Sequence, residues 1–412
     1  MNKKYWLLLG LLGLLLYSCV EQFEAETREF ESILVVDARL TDELKRHQVR
    51  LNRTFRFGAT DPVPETNATV LIVDDQGLTQ EFAEAETGIY YSNSEFAAQT
   101  GRTYTLQIVT ASGDNYASEA TPLPDKVPIT DMRAVRVTND LGEEGVGIYL
   151  DNTSATPEPS FFRYEYEETY KIIAPRWDPF DFEVVYYEPC TDRLYEVAIV
   201  VRQEERRVCF SSNRSTQIIQ ASTEDLVNNE IQNMEIRFIS RENYIMSHRY
   251  SINVKQFSQT VDAHSFYERL DDFASSESLF SQVQPGLLEG NITSDREAEA
   301  VLGYFEVAAV SEQRLYFNYA DLFPDEPLPP YPISCETPGN PRLYSRGYHC
   351  AGFGICDGDC ESPLIEAILA GVIAYADTNE ENGNRPYFTW ARACGDCTDL
   401  GSNVVPEFWT EE

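Results

Sequence analysis

The chain has 412 residues, with 32 Lys and Arg against 68 Asp and Glu, and a formal net charge of −36. Binding to phosphate backbones needs a cationic face, so this balance excludes a nucleic-acid partner and argues against lying flat on anionic lipid. The length provides for two or three domains with separate cores, and the 24 Tyr and 22 Phe fit an exported β-protein.

At the N-terminus Lys3 and Lys4 precede an apolar run from Tyr5 to Leu16, which Leu16-Tyr17-Ser18-Cys19 closes as a lipobox. The run is shorter than the roughly 20 apolar residues that span a bilayer. It reads as a cleaved lipoprotein signal peptide over residues 1–18, with Ser18 as the small residue before the cut and Cys19 as the lipidated N-terminus. Several acyl chains anchor stably where one alone is marginal. Cleavage takes two lysines and no acid, leaving 30 basic residues against 68 acids and a mature charge of −38. This predicts an exported, tethered, bacterial protein. Residues 19–32 read as an acidic tether, with Glu21, Glu24 and Glu26 placed as in surface-export signals.

Residues 33–123 predict an Ig-like β-sandwich. Ile33–Val36, Val49–Leu51, Ala68–Val73, Gly88–Tyr91 and Tyr104–Val109 are short β-branched or aromatic runs divided by turn clusters such as Ser112-Gly113-Asp114-Asn115. Pro122, Pro124 and Pro128 mark a linker. Residues 124–330 predict a second β-rich domain: Phe162, Tyr164 and Tyr166 alternate with charged residues, and Glu183–Tyr187, Glu196–Val201 and Tyr250–Val254 continue the strand pattern. A helical insertion is expected near 261–273, where Val261, Phe266, Leu270 and Phe273 approach helical spacing behind Thr260 or Asp262 as cap.

Residues 331–412 form a Cys-rich C-terminal segment expected to pack on the second domain. A short helix is predicted there from Ile365, Ile368, Leu369, Val372 and Ile373, starting at Ser362-Pro363. The fold class is therefore mainly β, with short helices.

Eight cysteines remain after lipidation of Cys19: Cys190, Cys209, Cys335, Cys350, Cys356, Cys360, Cys394 and Cys397. An even number in an oxidising compartment predicts disulfides, and zinc is the weaker reading of Cys356-x-x-x-Cys360 and Cys394-x-x-Cys397. Cys190–Cys209 is the expected first pair because the two flank one strand-rich stretch; the remaining six allow 15 pairings.

No catalytic motif stands out: Gly-x-Ser-x-Gly, His-Glu-x-x-His and the phosphate-binding loop are all absent from the sequence. His47, His248, His264 and His349 occupy no recognisable metal or nucleophile motif. Asp377–Gly383 has oxygen ligands at alternate positions, but Gly383 is seventh and Phe388 twelfth, out of step with an EF-hand, so a surface turn is expected. The expectation is a non-enzyme without cofactor or metal. Its function would lie in exposed loops, with Thr54–Pro64 and Pro324–Pro332 (beside Phe323 and including Tyr331) as candidates.

Several motifs then occur in a characteristic order: Tyr250–Gln256, Phe266-Tyr267, Ser278-Leu279-Phe280, Gly290-Asn291-Ile292, Val301–Val307, Cys394–Cys397 and Pro406–Trp409. In this order the chain resembles a Bacteroidota family of outer-membrane lipoproteins classed as a domain of unknown function, over nearly its whole mature length. The glycines and aromatics of Gly290–Ile292 and Leu302–Phe305 read as turn and core residues. The chain departs from the family in its larger number of C-terminal cysteines.

The resemblance implies an accessory lipoprotein working beside a TonB-dependent outer-membrane receptor, and it brings no catalytic residues. The expected function is a surface lipoprotein, held in outer-membrane lipid through Cys19, that binds or gates a small-molecule, peptide or glycan cargo for that transporter. A structural or adhesive envelope protein and a hydrolase with a hidden site are the alternatives.

Overall fold

Alternation along the first strand sets the architecture. Leu34, Val36, Ala38 and Leu40 are buried while Asp37 and Arg39 face outward, which period-2 geometry requires of a half-buried strand. The computed structural model describes residues 32–54, 62–189, 191, 193–275, 288, 290–296, 299–345, 349–350, 356–357 and 360–411. Cys19, the lipobox, the tether up to Glu31, Cys190 and most of the Thr54–Pro64 loop lie outside the described residues.

The protein is mainly β. The N-terminal strands are β1 (Leu34–Thr41), β2 (Gln48–Arg53), β3 (Thr69–Asp74), β4 (Thr79–Glu86), β5 (Ile89–Ser92), β6 (Thr103–Val109) and β7 (Asn115–Ser118). Farther along come β8 (Phe161–Ile173), β9 (Val208–Arg214), β10 (Arg249–Gln259), helix α1 (Val261–Ser275), β11 (Ile292–Ser294) and the long β12 (Val301–Asn318). Among the described residues these strands belong to one sheet, in the order β9-β8-β10-β12-β1-β2-β5-β4-β3-β6-β7-β11. The halves meet where β1 runs parallel to β12, with Leu34 opposite Val301 and Arg39 opposite Glu306; β12 then continues antiparallel to β10.

Two cores lie on the apolar side. The first gathers Leu34, Val36, Leu51, Ile72, Tyr90, Leu106 and Ile108 with Phe305 and Val307 of β12. The N-terminal unit is thus completed by a strand more than 250 residues downstream, a long-range pairing with a high loop-closure cost. The second core packs Phe162, Tyr164, Tyr250 and Ile252 against Val146, Ile148, Leu150 and Ile239. The latter come from a separate three-stranded sheet of Ile129–Thr138, Glu144–Thr153 and Glu230–Ser240. Each fully buried Leu, Ile or Phe contributes about 1.5–3 kcal/mol relative to exposure.

The Gly290–Ile292 and Leu302–Phe305 motifs meet at the junction. Gly303 has φ +105°, and a Cβ there would lie 1.8 Å from the Val36 carbonyl oxygen. A Cβ on Gly290 would lie 1.7 Å from the Gly303 carbonyl oxygen. The Asn291 side chain completes the contact, donating to the Phe305 carbonyl at 2.9 Å and accepting from the Phe305 N–H at 2.8 Å. Both glycines are there because three backbones pass too close for any side chain.

Three sequence expectations need correction. The C-terminal helix covers only Pro363–Leu369; Ser362 caps it through the Ile365 N–H, but Gly371 at φ +65° ends it. Val372 lies beyond it, and Ile373 opens a strand, Ile373–Thr378.

Cys209 does not pair with Cys190. It bonds Cys397, 188 residues on, because the C-terminal segment runs along β9, with Phe210 and Ser402 exchanging backbone hydrogen bonds at 2.7 and 2.8 Å. Cys335 bonds Cys394, and Cys360 is disulfide-bonded as well.

The aromatics around Pro324–Pro332 are not displayed to solvent. Phe323 is 1% exposed, stacks on Tyr319 and lies under the Arg136 guanidinium. Tyr331 packs against the second core and donates to the Ile173 carbonyl at 2.8 Å. The Asp377–Gly383 stretch belongs to the hairpin joining Ile373–Thr378 to Tyr387–Ala391.

Candidate ligand-binding cleft

The face of the sheet opposite the two cores is polar and crosses the junction between the halves. Register places its side chains. Asp37 on β1 lies opposite Arg50 on β2, and Gln48 on β2 opposite Tyr91 on β5. On the other side of β1, Arg39 faces Glu306 of β12. Farther across, Lys255 of β10 lies between Glu312 of β12 and Glu165 of β8, and Phe257 lies opposite Arg163.

At the centre is a buried ion cluster. Glu306 is fully buried and accepts from Arg39 Nε at 2.8 Å, Arg163 Nη2 at 2.9 Å, Gln259 Nε2 at 2.6 Å and the Tyr267 hydroxyl at 3.2 Å. Glu165 closes the ring, 2.6 Å from Arg163 and 2.9 Å from Arg39. Both guanidinium groups lie over the Phe257 ring, at 4.6 and 4.9 Å from its centroid, which adds a cation–π term. Burial alone would raise the Glu306 carboxyl, but Arg163 and Arg39 outweigh it and hold it below the ordinary value. Burial likewise opposes ionisation of Glu165, yet the same two arginines bring it down to about 2. Two cations and two anions balance, so the cluster clamps β1, β8, β10, β12 and α1 together. Glu306 has all its acceptor capacity engaged and is a structural anion.

Around this clamp the face is open. A cleft of about 770 Å³ is lined by Arg163, Glu165, Glu167, Arg214, Asn253 and Lys255, among others, and reaches Asp37 and Arg50. A second, of about 370 Å³, is lined by Arg39, Lys45, Arg46, Gln48 and Tyr91 and shares Asp37 and Arg50 with the first. Lys255 is held at 2.6 Å by Glu43; burial works against its charge, and Glu43 more than restores it. Glu43 also pairs with Lys45, and despite burial the two lysines bring its carboxyl to about 2. His47 forms part of the second wall; burial drops it to about 4, so it is neutral at physiological pH.

A third, apolar pocket of about 600 Å³ lies against α1, between Phe266, Tyr267, Leu270 and Phe273 on the helix and Val35, Leu302 and Tyr304 on the sheet. Tyr267 therefore touches both this pocket and the ion cluster.

Few of these residues stand out in the sequence: His47 as a histidine, Phe266, Leu270 and Phe273 by helical spacing, and Asn253, Lys255, Tyr267 and Tyr304 as members of the ordered motifs. One signal was present: Glu306 is a lone carboxylate inside the apolar run Val301–Val310, and a charge in a buried strand needs partners. Arg39, Arg50 and Arg163 occupy the outward positions of alternating strands, where charge is ordinary. Of the histidines, His248 is held near 4 by burial and His264 is also lowered, chiefly by burial. Among the described residues no His, Cys, Asp and Glu groups are gathered as metal ligands. No helix among them is long and apolar enough to cross a membrane.

Residues 20–314 match a protein family described as a domain of unknown function, DUF4249. The chain belongs to the DUF4249 family. Every residue named in the two polar clefts falls inside the matched segment. The match ends within β12, so the disulfide-bonded Cys335, Cys394 and Cys397 lie beyond the DUF4249 region. No curated protein matches the chain. Among solved structures it is similar to a DUF4785 family protein from Legionella pneumophila, at 7% identity and a TM-score of 0.20, over 56% of this chain and 54% of that one. The chain thus spans about half the length of that protein.

Proposed function

We propose that this DUF4249 protein is a non-enzymatic binding lipoprotein of the bacterial outer-membrane surface, and that it presents its polar sheet face to a ligand destined for a TonB-dependent receptor. The observation that carries the reading is the pair of adjoining clefts. They lie on the face of a sheet whose other side is core, and the ion cluster around the fully engaged Glu306 fixes their floor. Rigid elements under an open polar surface favour recognition.

The anchoring part rests on the sequence. Leu16-Tyr17-Ser18-Cys19 at the end of a short apolar run gives a lipid attachment point, and the acidic residues behind it give a tether. The transporter part rests on the ordered motifs that resemble Bacteroidota lipoproteins of this kind. The carboxylates in the cluster are held ionised by arginines, which suits a structural anion better than a general acid, since that role needs a raised pKa.

Purification of the native protein in mild detergent tests the transporter reading: a large outer-membrane barrel should accompany it in stoichiometric amount. Isolation without a barrel, together with loss of a specific hydrolytic activity on gene deletion, would overturn it in favour of a hydrolase. For anchoring, Cys19→Ala should abolish acyl labelling and membrane retention; unchanged labelling would refute the lipobox assignment.

A further inference from the structure

The charge in the clefts runs against that of the whole protein. Seven of the chain's 32 Lys and Arg line the two polar clefts, against three of its 68 acids. Several of these cations are neutralised by Glu43, Glu306 and Glu312. Three keep capacity to bind. Arg50 has no partner among the described residues. Among the described residues Arg46 spends only Nε, on the Ser92 carbonyl at 2.7 Å. Arg214 is 82% exposed and 3.5 Å from Glu167. Elsewhere an excess of acid covers the protein, so a mobile anion is repelled from the general surface and drawn here.

The neutral groups narrow the ligand. Asp37, an acceptor without a partner among the described residues, lies directly opposite Arg50. Gln48 and Tyr91, opposite each other one step along, likewise have free side chains among the described residues. A bare inorganic anion presents acceptors only, and an unpaired carboxylate beside it would repel it. A ligand with hydroxyls as well as anionic groups uses every one of these side chains: hydroxyls donate to Asp37, amide and phenol pair with ring oxygens and hydroxyls, and the guanidinium forks take the carboxylate or sulfate. The surface is mainly the face of a sheet, reaching a terminal strand at Arg214 of β9, whereas an extended peptide adds along a strand edge. At about 770 and 370 Å³, the two clefts hold several linked rings.

We infer that the paired clefts bind an acidic oligosaccharide, one carrying carboxylate or sulfate groups, with Arg46 and Arg50 on the anionic groups and Asp37, Gln48 and Tyr91 on the hydroxyls. This rests on the clefts being the binding site proposed above, and it adds the ligand class.

Isothermal titration of the full-length protein in detergent tests it with a panel of tetrasaccharides: oligogalacturonate, oligoalginate, sulfated chondroitin and sulfated carrageenan, with neutral malto- and xylo-tetrasaccharides and tetraglutamate alongside. At least one acidic tetrasaccharide should bind at least tenfold tighter than the neutral ones and than tetraglutamate. Its affinity should fall at least tenfold in Arg50→Gln and Arg46→Gln and in Asp37→Asn. Arg269→Gln, on exposed α1 surface outside the two clefts, should leave it unchanged. Circular dichroism of each variant shows whether the fold survives. Neutral sugars binding as well as acidic ones, with loss in Asp37→Asn alone, would overturn the anionic class and keep the cleft as the site. Tetraglutamate binding tightest would overturn the saccharide class. Binding of an acidic sugar that all three cleft variants leave intact would overturn the site itself, and with it the reading it rests on. No binding across the panel would overturn the inference about ligand class.

Discussion

Neutralising Glu306 should destabilise the whole sheet. In Glu306→Gln the side chain keeps its shape, but the anion shared by Arg39 at 2.8 Å and Arg163 at 2.9 Å is lost. The new amide nitrogen is a donor where the Gln259 amide nitrogen at 2.6 Å also donates, so Gln259 must turn its amide to accept. Removing one partner of a buried ion pair costs about 3–5 kcal/mol, because the remaining charge is left uncompensated. Glu165, 40% exposed, still balances one of the two guanidinium groups, which puts the expected loss at the lower end, about 3 kcal/mol. Urea unfolding followed by fluorescence measures it as a lower midpoint with an unchanged slope. Because Arg39 belongs to the β1 side and Arg163 to the β8 side, the loss should loosen amide protection on both strands. Replacing the pair with apolar groups, Glu306→Leu with Arg163→Met, should recover most of the stability. A Glu306→Gln protein within about 0.5 kcal/mol of the parent would show that the cluster does not clamp the halves, and the reasoning would fail.

Gly303→Ala should prevent β1 from pairing with β12, since its Cβ meets the Val36 carbonyl at 1.8 Å with φ at +105°; little soluble folded protein is expected, whereas Gly113→Ala, with open space around it, should cost only the backbone strain of its φ of +89°, about 1–3 kcal/mol. Removing the Cys209–Cys397 bridge as the Ser/Ser pair opens a loop of 188 residues and should cost about 4 kcal/mol in denaturant titration; an unchanged midpoint would contradict this. Acid should weaken the protein in two stages. His47 and His248 titrate at about 4 when folded against 6.5 ordinarily, so the unfolded chain takes up protons first and stability falls as pH drops from 6.5 to 4. Glu43 and Glu165, at about 2 against 4.5, add stability that is present above 4.5 and lost toward 2. Calorimetry should show the first stage reduced in His47→Gln; a melting temperature flat from pH 7 to 4.5 would refute the assignment.

The mainly β fold could be read from residues such as Phe162, Tyr164 and Tyr166, because period-2 alternation is a local property of the chain. Helix α1 was readable for the same reason, from Phe266 and Leu270. The apolar spacing behind Ser362-Pro363 runs on through Ile373, but Gly371, with its left-handed backbone, ends the helix before it. The parallel pairing of β1 with β12 left no local trace: Arg39 and Glu306 are 267 residues apart, and nothing near either names the other. The clefts depend on that pairing, so they were hidden with it. Cysteine pairing was hidden likewise, since Cys209 meets Cys397 only after the C-terminal segment has docked along β9.

The central claim, that the polar sheet face serves uptake of a ligand, is tested most directly in the cell of origin. A deletion strain would be grown on single nutrients and complemented with the wild-type chain or with the Arg46→Glu, Arg50→Glu double variant, whose folding and membrane arrival are checked by immunoblot of shaved and unshaved cells. Growth on one nutrient should slow, restored by the wild type and not by the cleft variant. Full restoration by the cleft variant, or a normal growth rate accompanied by loss of a secreted hydrolytic activity, would contradict it.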